Sequence, residues 1–469
     1  MKLLESINSL VKALEAGSVA GAPGTLVQGG ALQIQEIEGV MRNVTFGSEH
    51  IKLQKAFQSK KARSTQVRFK RQLSYGELGG SAQYEGMVGQ EETGDYVEAV
   101  VPMAYYSHVR RVTVAANMVE AFDGVKAEDR EAQAAAMKIA ADMENDLFQG
   151  KGHFSNAGVF DGNPMSIPAL PNLAGLDVQI RQSDVLSNTQ DLMFAEFGSS
   201  ESVVLAADGS LLNQILVEDA ALRSRLNFGK AERLMVDPVV LSGYNKQIIQ
   251  TGSNITQFAT MGQSLSSSGA DLRQQAVSEG SVKLESSHFL RGKTQPARSR
   301  AGAPSAPTLG AATSPTGGSL AAGDYWYRVT AVNEKGEGIA AEVQVLAVAA
   351  NDYVTFTITA TGAVGTRFFN IYRNNAGEDK AKAKFIGRVA NSGAGATAWI
   401  DLGNKSPGFS NAYLIEADSA AIHELAPYSR MKLGISDLSS PEAHFRFACL
   451  AVYEPRKNVI LDNLKGTFR

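Results

Sequence analysis

The sequence predicts an α+β protein whose chain is interrupted, late in its course, by an all-β sandwich. Three observations carry that expectation. An Ala-rich stretch at 128–149 has the periodicity of a long helix and is flanked by segments that alternate at strand period. About seven short strand-like runs with turn signals between them fill 304–407 and hold both tryptophans, Trp326 and Trp399. The chain then continues into strand-like segments at 444–453 and 458–463, which read as a closing pair around the polar turn Glu454-Pro455-Arg456-Lys457. A module threaded in ahead of the last strands implies a host loop on a surface that tolerates extra mass.

Length and composition bound the rest. At 469 residues the chain can form about two or three domains, each with its own core. A formal net charge of −3 with 20% charged residues excludes a polyanion binder or an acidic solvating chain as the overall character. The single cysteine, Cys449, cannot form an internal disulfide, which fits a reducing compartment. Its neighbours Ala448 and Leu450 predict a buried structural thiol. Glu5 and Lys12 break the apolar run that starts at Leu3, so a signal peptide is not expected. No stretch approaches the ~20 apolar residues of a membrane span. The expectation is a soluble protein made in the cytoplasm.

In chain order, Leu3, Ile7, Leu10, Val11 and Leu14 recur at helical spacing before a stop at Gly17. A Gly/Ala segment at 17–31 and a second helix at 33–41 follow. Next comes an unusual charge arrangement. Lys52, Lys55, Lys60, Lys61, Arg63, Arg68, Lys70 and Arg71 precede a Gly-rich tip at 76–80, and Glu85, Glu91, Glu92, Asp95 and Glu98 follow it. Alternation at 65–73 and β-branched residues at 95–103 predict a long two-stranded arm with one basic and one acidic limb. A solvated surface hairpin would carry the same pattern. Long isolated hairpins are poorly stable in water, however, so this one is expected to lie on something. Limbs of opposite charge suit a neighbouring copy of the chain.

A strand at 109–114 and an apolar turn at 118–122 lead to the 128–149 helix. Asp129 and Glu131 sit near its positive end, Gly150 is its stop, and Ala132, Ala136, Ile139, Met143 and Leu147 form its core stripe. Residues 153–175 are loop-rich. From 183 the pattern is α/β, with helices expected at 184–194 and 209–222 and strands at 202–206, 236–241 and 246–250. A Ser/Gly loop at 262–270 and a basic linker at 293–304 complete the host before the module. Within the module, strands are expected at 323–333, 343–348, 353–359, 368–373 and 385–389, with a closing strand from Trp399. The first of these ends at the turn Asn333-Glu334-Lys335-Gly336.

No catalytic, cofactor or metal constellation stands out. The six histidines, His50, His108, His153, His288, His423 and His444, have no metal-ligand spacing. Neither a phosphate-binding loop nor a nucleophile elbow occurs. Glu91 and Glu92 are adjacent and would point to opposite strand faces. The basic run at 52–71 could meet phosphate, but Phe57 and Phe69 are its only aromatics, too few for a stacking platform. An enzyme is therefore not expected.

The run Tyr325-Trp326-Tyr327-Arg328-Val329-Thr330-Ala331-Val332-Asn333 resembles the central strand of fibronectin type III and bacterial Ig-like domains. The order of elements over the whole chain resembles the major capsid proteins of tailed phages of the Hong Kong 97 type. The closing run Phe445-Arg446-Phe447-Ala448-Cys449-Leu450-Ala451-Val452-Tyr453 looks like that family's last peripheral strands. The resemblance implies an N-terminal arm at 1–50, an E-loop hairpin at 51–103, and a peripheral part at 104–183 containing the spine helix. An axial domain at 184–302, an inserted Ig-like sandwich at 303–408 and a return to the axial and peripheral domains at 409–469 would follow.

It also implies function: self-assembly as hexamers and pentamers into an icosahedral shell around double-stranded DNA, which would meet the inner surface non-specifically. Scaffolding, portal and decoration proteins would be further partners, with no membrane and no cofactor. The location would be the virion, after assembly in the host cytoplasm. The E-loop residues expected at subunit contacts are Lys60, Lys61, Arg63, Arg68, Lys70, Arg71, Glu85, Glu91 and Glu92. The sandwich would face outward, strengthening capsomer contacts or weakly attaching to glycans.

Two departures stand out: no long charged scaffolding helix at the N-terminus, and no lysine–asparagine pair marked for cross-linking. The alternatives are an encapsulin-like nanocompartment, a bacterial surface or carbohydrate-binding protein with a fibronectin-like module, and an enzyme with an accessory sandwich.

Overall fold

The computed structural model describes residues 46–72, 75, 82–89, 91, 93–94, 96–118, 126–155, 170–187, 201–251, 274–278, 280–294, 299, 301–362, 365–393, 395–434 and 438–466. The two N-terminal helices and the 262–270 loop expected from sequence, the glycines at 76–80, Glu92, Asp95 and residues 188–194 lie outside the described residues, as do parts of the expected 118–122 turn, 153–175 loop and 293–304 linker.

A short helix, α1 (Leu53–Ala56), leads into β1 (Gln58–Lys61). The arm follows as β2 (Gln66–Gln72) and β3 (Tyr96–Pro102), antiparallel from Gln66 opposite Pro102 to Gln72 opposite Tyr96. Then come β4 (Ala104–Thr113), α2 (Val114–Met118) and the long helix α3 (Ala127–Gln149), with Glu128 and Asp129 in its first turn. Gly150 ends α3 through close approach, not through left-handed freedom, because its φ is −57°. A side-chain carbon there would stand 2.1 Å from the Leu173 carbonyl oxygen and 2.5 Å from that of Asp146.

The next helix, α4 (Leu176–Ser187), begins eight residues before the expected start at 184. Leu176-Asp177-Val178-Gln179-Ile180 alternates like a strand in sequence, yet Leu176 and Ile180 are buried at helical spacing. After β5 (Val204–Ala206), α5 (Gln214–Leu226) is capped by Asn213, whose side chain accepts from the Leu216 N–H at 2.8 Å. The strands expected at 236–241 and 246–250 are a correction. Only β6 (Arg233–Val236) is extended, and α6 (Pro238–Thr251) occupies the rest. Pro238 is the first helical residue, and the Asp237 side chain accepts from the Val239 N–H at 2.9 Å. Tertiary packing, with Val240 buried, overrides the strand preference of Val239 and Val240. β7 (Gln274–Val277) and β8 (Gly280–Ser286) close this part.

The inserted segment forms β9 (Thr308–Leu309), β10 (Gly323–Asn333), β11 (Gly336–Val348), β12 (Val354–Thr359), β13 (Phe368–Arg373), β14 (Lys384–Ala390) and β15 (Thr397–Asp401). They make two sheets, β11-β10-β13-β14 and β15-β12-β9. Tyr327, Val329, Val345, Phe356, Phe369 and Ile371 fill the space between them. A buried Arg373–Asp401 ion pair joins the sheets, and the Tyr327 hydroxyl donates to Asp401 at 2.8 Å.

The host resumes as β16 (Ser410–Ile415), β17 (Ala420–Lys432), β18 (Ser439–Val452) and β19 (Val459–Leu464). Two host sheets result, β1-β17-β18-β4 and β5-β19-β16-β6-β8-β7, so the insertion interrupts the second one between β8 and β16. The closing strand pair expected at 444–463 is a second correction. β18 and β19 lie in different sheets, and Pro455–Lys457 is a 3-10 turn with Pro455 and Arg456 buried. That turn carries the chain from one sheet to the other, where a hairpin would have returned it to the same one. One core joins both host sheets to α3 and α4 through Met143, Leu147, Phe148, Ile180, Leu450 and Ile460.

The sandwich is fastened to the host. Every residue of β13 is buried, on both sheet faces. Its Tyr372 ring meets Phe385, which in turn packs on Phe409 at the host boundary, at 5.8 and 5.9 Å. In the return linker Lys405 pairs with Asp462 at 2.5 Å, and the Ser406 N–H donates to the Asn463 side chain at 3.0 Å. Lys293 lies among Arg388 and Glu337 of the sandwich and Lys151 and Asp146 of the host. Burial and then Arg388 push its ammonium pKa down to about 8.

Candidate assembly surfaces

The root of the arm is built on α3. Glu144 is buried, and its carboxylate accepts the backbone N–H groups of Lys52 at 2.9 Å, Leu53 at 2.6 Å and Gln54 at 3.1 Å. These are donors that the first turn of α1 leaves without helical partners. Gln54 donates to the Ala140 carbonyl at 2.7 Å and accepts from Arg446 at 2.7 Å. Lys52 reaches the Ser286 carbonyl at 2.6 Å. The arm therefore leaves a clamped base.

Along the arm, Ala99, Val100 and Val101 are buried, and Phe69 packs edge-on to Tyr453 at 5.2 Å. The charged residues named from sequence divide by environment. Arg71 is held within its own subunit, donating to the Val452 carbonyl at 2.7 Å with its guanidinium over Phe69. Burial lowers its pKa to about 10. Lys60, on β1, lies 4.8 Å from the Tyr453 ring centre. Arg68 meets Glu98 at 3.9 Å, so the basic and acidic limbs touch each other at this exposed pair. Lys61, Arg63, Lys70, Glu85 and Glu91 are exposed, while Glu92 lies outside the described residues.

The charge pattern did not single out the apolar groups around the arm's far end. Tyr75, Tyr84, Met87, Val88 and Tyr96 all stand in water, Tyr84 at 85% and Val88 at 93% exposure. Large apolar side chains clustered beside the glycine-rich tip were the signal available for them.

A second surface lies on the sheet β1-β17-β18-β4. α3 covers one face, where Tyr106 bonds Asp146 at 2.8 Å and Arg110 pairs with Glu131 at 3.2 Å. On the opposite face the register brings Tyr105 beside Phe447, and Val109 and Met431 on either side of Ala443. The Tyr105 and Phe447 rings are 5.0 Å apart, and Phe445 stacks on Phe447 at 5.3 Å. Tyr105 is 55% and Val109 61% exposed. A contiguous apolar sheet face open to water marks an interaction surface. In sequence its signal was the alternation Tyr105-Ser107-Val109 opposite Phe445 and Phe447.

The Cys449 thiol is fully buried, and burial pushes its pKa up to about 12. Among the described residues no group of three or more His, Cys, Asp or Glu is placed to hold a metal ion. No helix among them is long and apolar enough to cross a membrane.

No protein-family model and no curated protein matches the sequence. Solved structures that resemble the chain include the capsid of Myoviridae phage XM1, at 10% identity over 94% of this chain and 100% of that one, with a TM-score of 0.44. The capsid of cyanophage P-SCSP1u is similar at 9% identity over 97% and 98%, with a TM-score of 0.42. The holo-SrpI encapsulin complex from Synechococcus elongatus PCC 7942 is similar at 8% identity over 92% and 95%, with a TM-score of 0.39.

Proposed function

We propose that this chain is the major capsid protein of a tailed phage, which self-assembles as hexamers and pentamers into an icosahedral shell around double-stranded DNA. One observation carries the reading. A hairpin arm clamped at its root to the long helix by Glu144 exposes Tyr84, Met87 and Val88, while the same subunit leaves Tyr105 and Val109 open on a sheet face beside the half-buried Phe445 and Phe447. A monomer would leave both surfaces wet, whereas copies of the chain can cover each other's. Exposed charges along the arm, such as Lys61, Arg63, Lys70 and Glu91, would set register at the contact more than its strength.

The role is structural, without a cofactor or a catalytic step. DNA would meet the inner surface through phosphate contacts of no sequence preference. Scaffolding, portal and decoration proteins would join at assembly in the host cytoplasm, and the sandwich would face outward.

Negative-stain electron microscopy of the purified chain at low and moderate salt tests this. Closed shells, tubes or six-membered rings are expected. A clean monomer at high concentration would overturn the reading.

A further inference from the structure

The long helix α3 is held on its sheet in two unlike ways. Toward its C-terminal end Ile139, Met143, Leu147 and Phe148 are buried in apolar contact. Toward its N-terminal end the seam is polar. Glu128 meets Lys432 at 2.5 Å, Asp129 meets Arg430 at 3.5 Å, and Glu131 meets Arg110 at 3.2 Å. Beneath this seam, on β18, lie Glu442 at 3% and His444 at 0% exposure.

The register surrounds these two with charge. Glu442 sits between Lys432 of β17 and Arg110 of β4, and His444 between Arg430 and His108, which itself pairs with Asp142 of α3 at 3.4 Å. Tyr428 of β17 fixes the state of the imidazole. Its hydroxyl lies 3.1 Å from the Ala132 carbonyl oxygen and 3.0 Å from His444 Nδ1. The carbonyl can only accept, so the hydroxyl proton points there, and Nδ1 must donate to the hydroxyl oxygen. That leaves Nε2 of the neutral ring with a bare lone pair. Nε2 has no hydrogen-bond partner and faces Glu442 Oε2 at 3.9 Å, while Glu442 Oε1 faces the Lys432 ammonium at 3.7 Å. Two acceptors confronting each other in a site closed to water are unfavourable, and a single proton between Glu442 Oε2 and Nε2 removes the conflict.

We propose that Glu442 and His444 form a proton-binding site that sets how firmly the N-terminal half of α3 is held on the sheet. With the proton present, a neutral Glu442 donates to Nε2, and Lys432 is left to Glu128 alone. Without it, Glu442 and Glu128 are two neighbouring carboxylates with Lys432 between them, and the seam loosens. Burial, and then Glu128, push the Glu442 carboxyl pKa up, while burial and then Arg430 push that of His444 down. For Glu442 the folded pKa lies above the unfolded one. Its stabilisation is complete below the unfolded value and is lost as pH rises through the folded value. The lowered His444 runs the other way, its contribution being present above the unfolded value and lost as pH falls. The Glu442→Gln variant removes the first effect and leaves the second.

Hydrogen exchange of the full chain, read on peptides spanning 127–135 and corrected for the intrinsic pH dependence, tests the site. In the wild type these amides should exchange several-fold faster at pH 8 than at pH 5.5, while peptides at 139–148 do not change. Glu442→Gln, with a permanent donor for Nε2, should hold 127–135 at the slow rate at both pH values. Wild-type exchange at 127–135 that does not vary with pH would overturn the proposal, and this outcome needs no variant to fold. A Glu442→Gln chain that keeps the wild-type pH dependence would overturn it too.

Discussion

Glu144 accepts the backbone N–H of Leu53 at 2.6 Å, and through this bond the long helix holds the base of the arm. Burial raises the carboxyl pKa of Glu144 even though three backbone donors oppose it. Its folded value therefore lies above the unfolded one, and its contribution to stability is complete below the ordinary carboxyl range and declines as pH rises through the folded value. Glu144→Ala should cost about 3 kcal/mol in urea unfolding, because it strands buried donors. Glu144→Gln should cost less, since an amide oxygen still accepts.

Asp177 shows the opposite sign. Burial alone would raise its pKa, but Lys151 at 2.6 Å and Arg181 at 2.8 Å hold it well below the usual range. Its stabilisation is present above the unfolded carboxyl pKa and lost as pH falls through the folded one. Asp177→Asn should destabilise by about 3 kcal/mol at pH 7. The difference from wild type should narrow on acidification, as followed by circular dichroism melts.

Arg68 and Arg71 lie on one strand and should behave differently. The double variant Arg68→Glu with Lys70→Glu should unfold within about 0.5 kcal/mol of wild type and yet fail to form particles by electron microscopy. Arg71→Glu should unfold at lower temperature even as a monomer, because Arg71 is bonded to the Val452 carbonyl and packed on Phe69. Normal particles from the double variant would remove the arm charges from the assembly argument.

Val109→Glu with Tyr105→Ser would place charge and remove apolar area on the open sheet face. Folding should change little, because both side chains are more than half exposed. Particle yield by sedimentation should collapse. Retained yield would show that this face stays wet in the assembled state.

The fragment 303–408 carries its own core and a buried ion pair, so it should fold with a cooperative tryptophan signal from Trp326 and Trp399. It should be less stable than the same segment in the full chain, since the Phe385 ring loses its contact with Phe409. Unfolding at the same denaturant concentration in both would mean that the host adds nothing to the sandwich.

The sequence by itself determined the α3 helix, the paired arm and the strands of the insertion. In each, residues at a fixed short spacing decide the structure, as with Ile139, Met143 and Leu147, or with Tyr325, Tyr327 and Val329. Only the tertiary structure decided that 238–251 is helix, that Leu176 opens α4, and that β18 and β19 part into different sheets. In those segments local preference favours strands or a hairpin, and burial against distant residues outweighs it. The candidate surfaces divide in the same way. Charge on the arm could be read along the chain, whereas the inward turn of Arg71 and the open face of Tyr105 and Phe447 depend on which strands pair. Pairing is fixed by the shared core of residues far apart in sequence, and no local pattern encodes it.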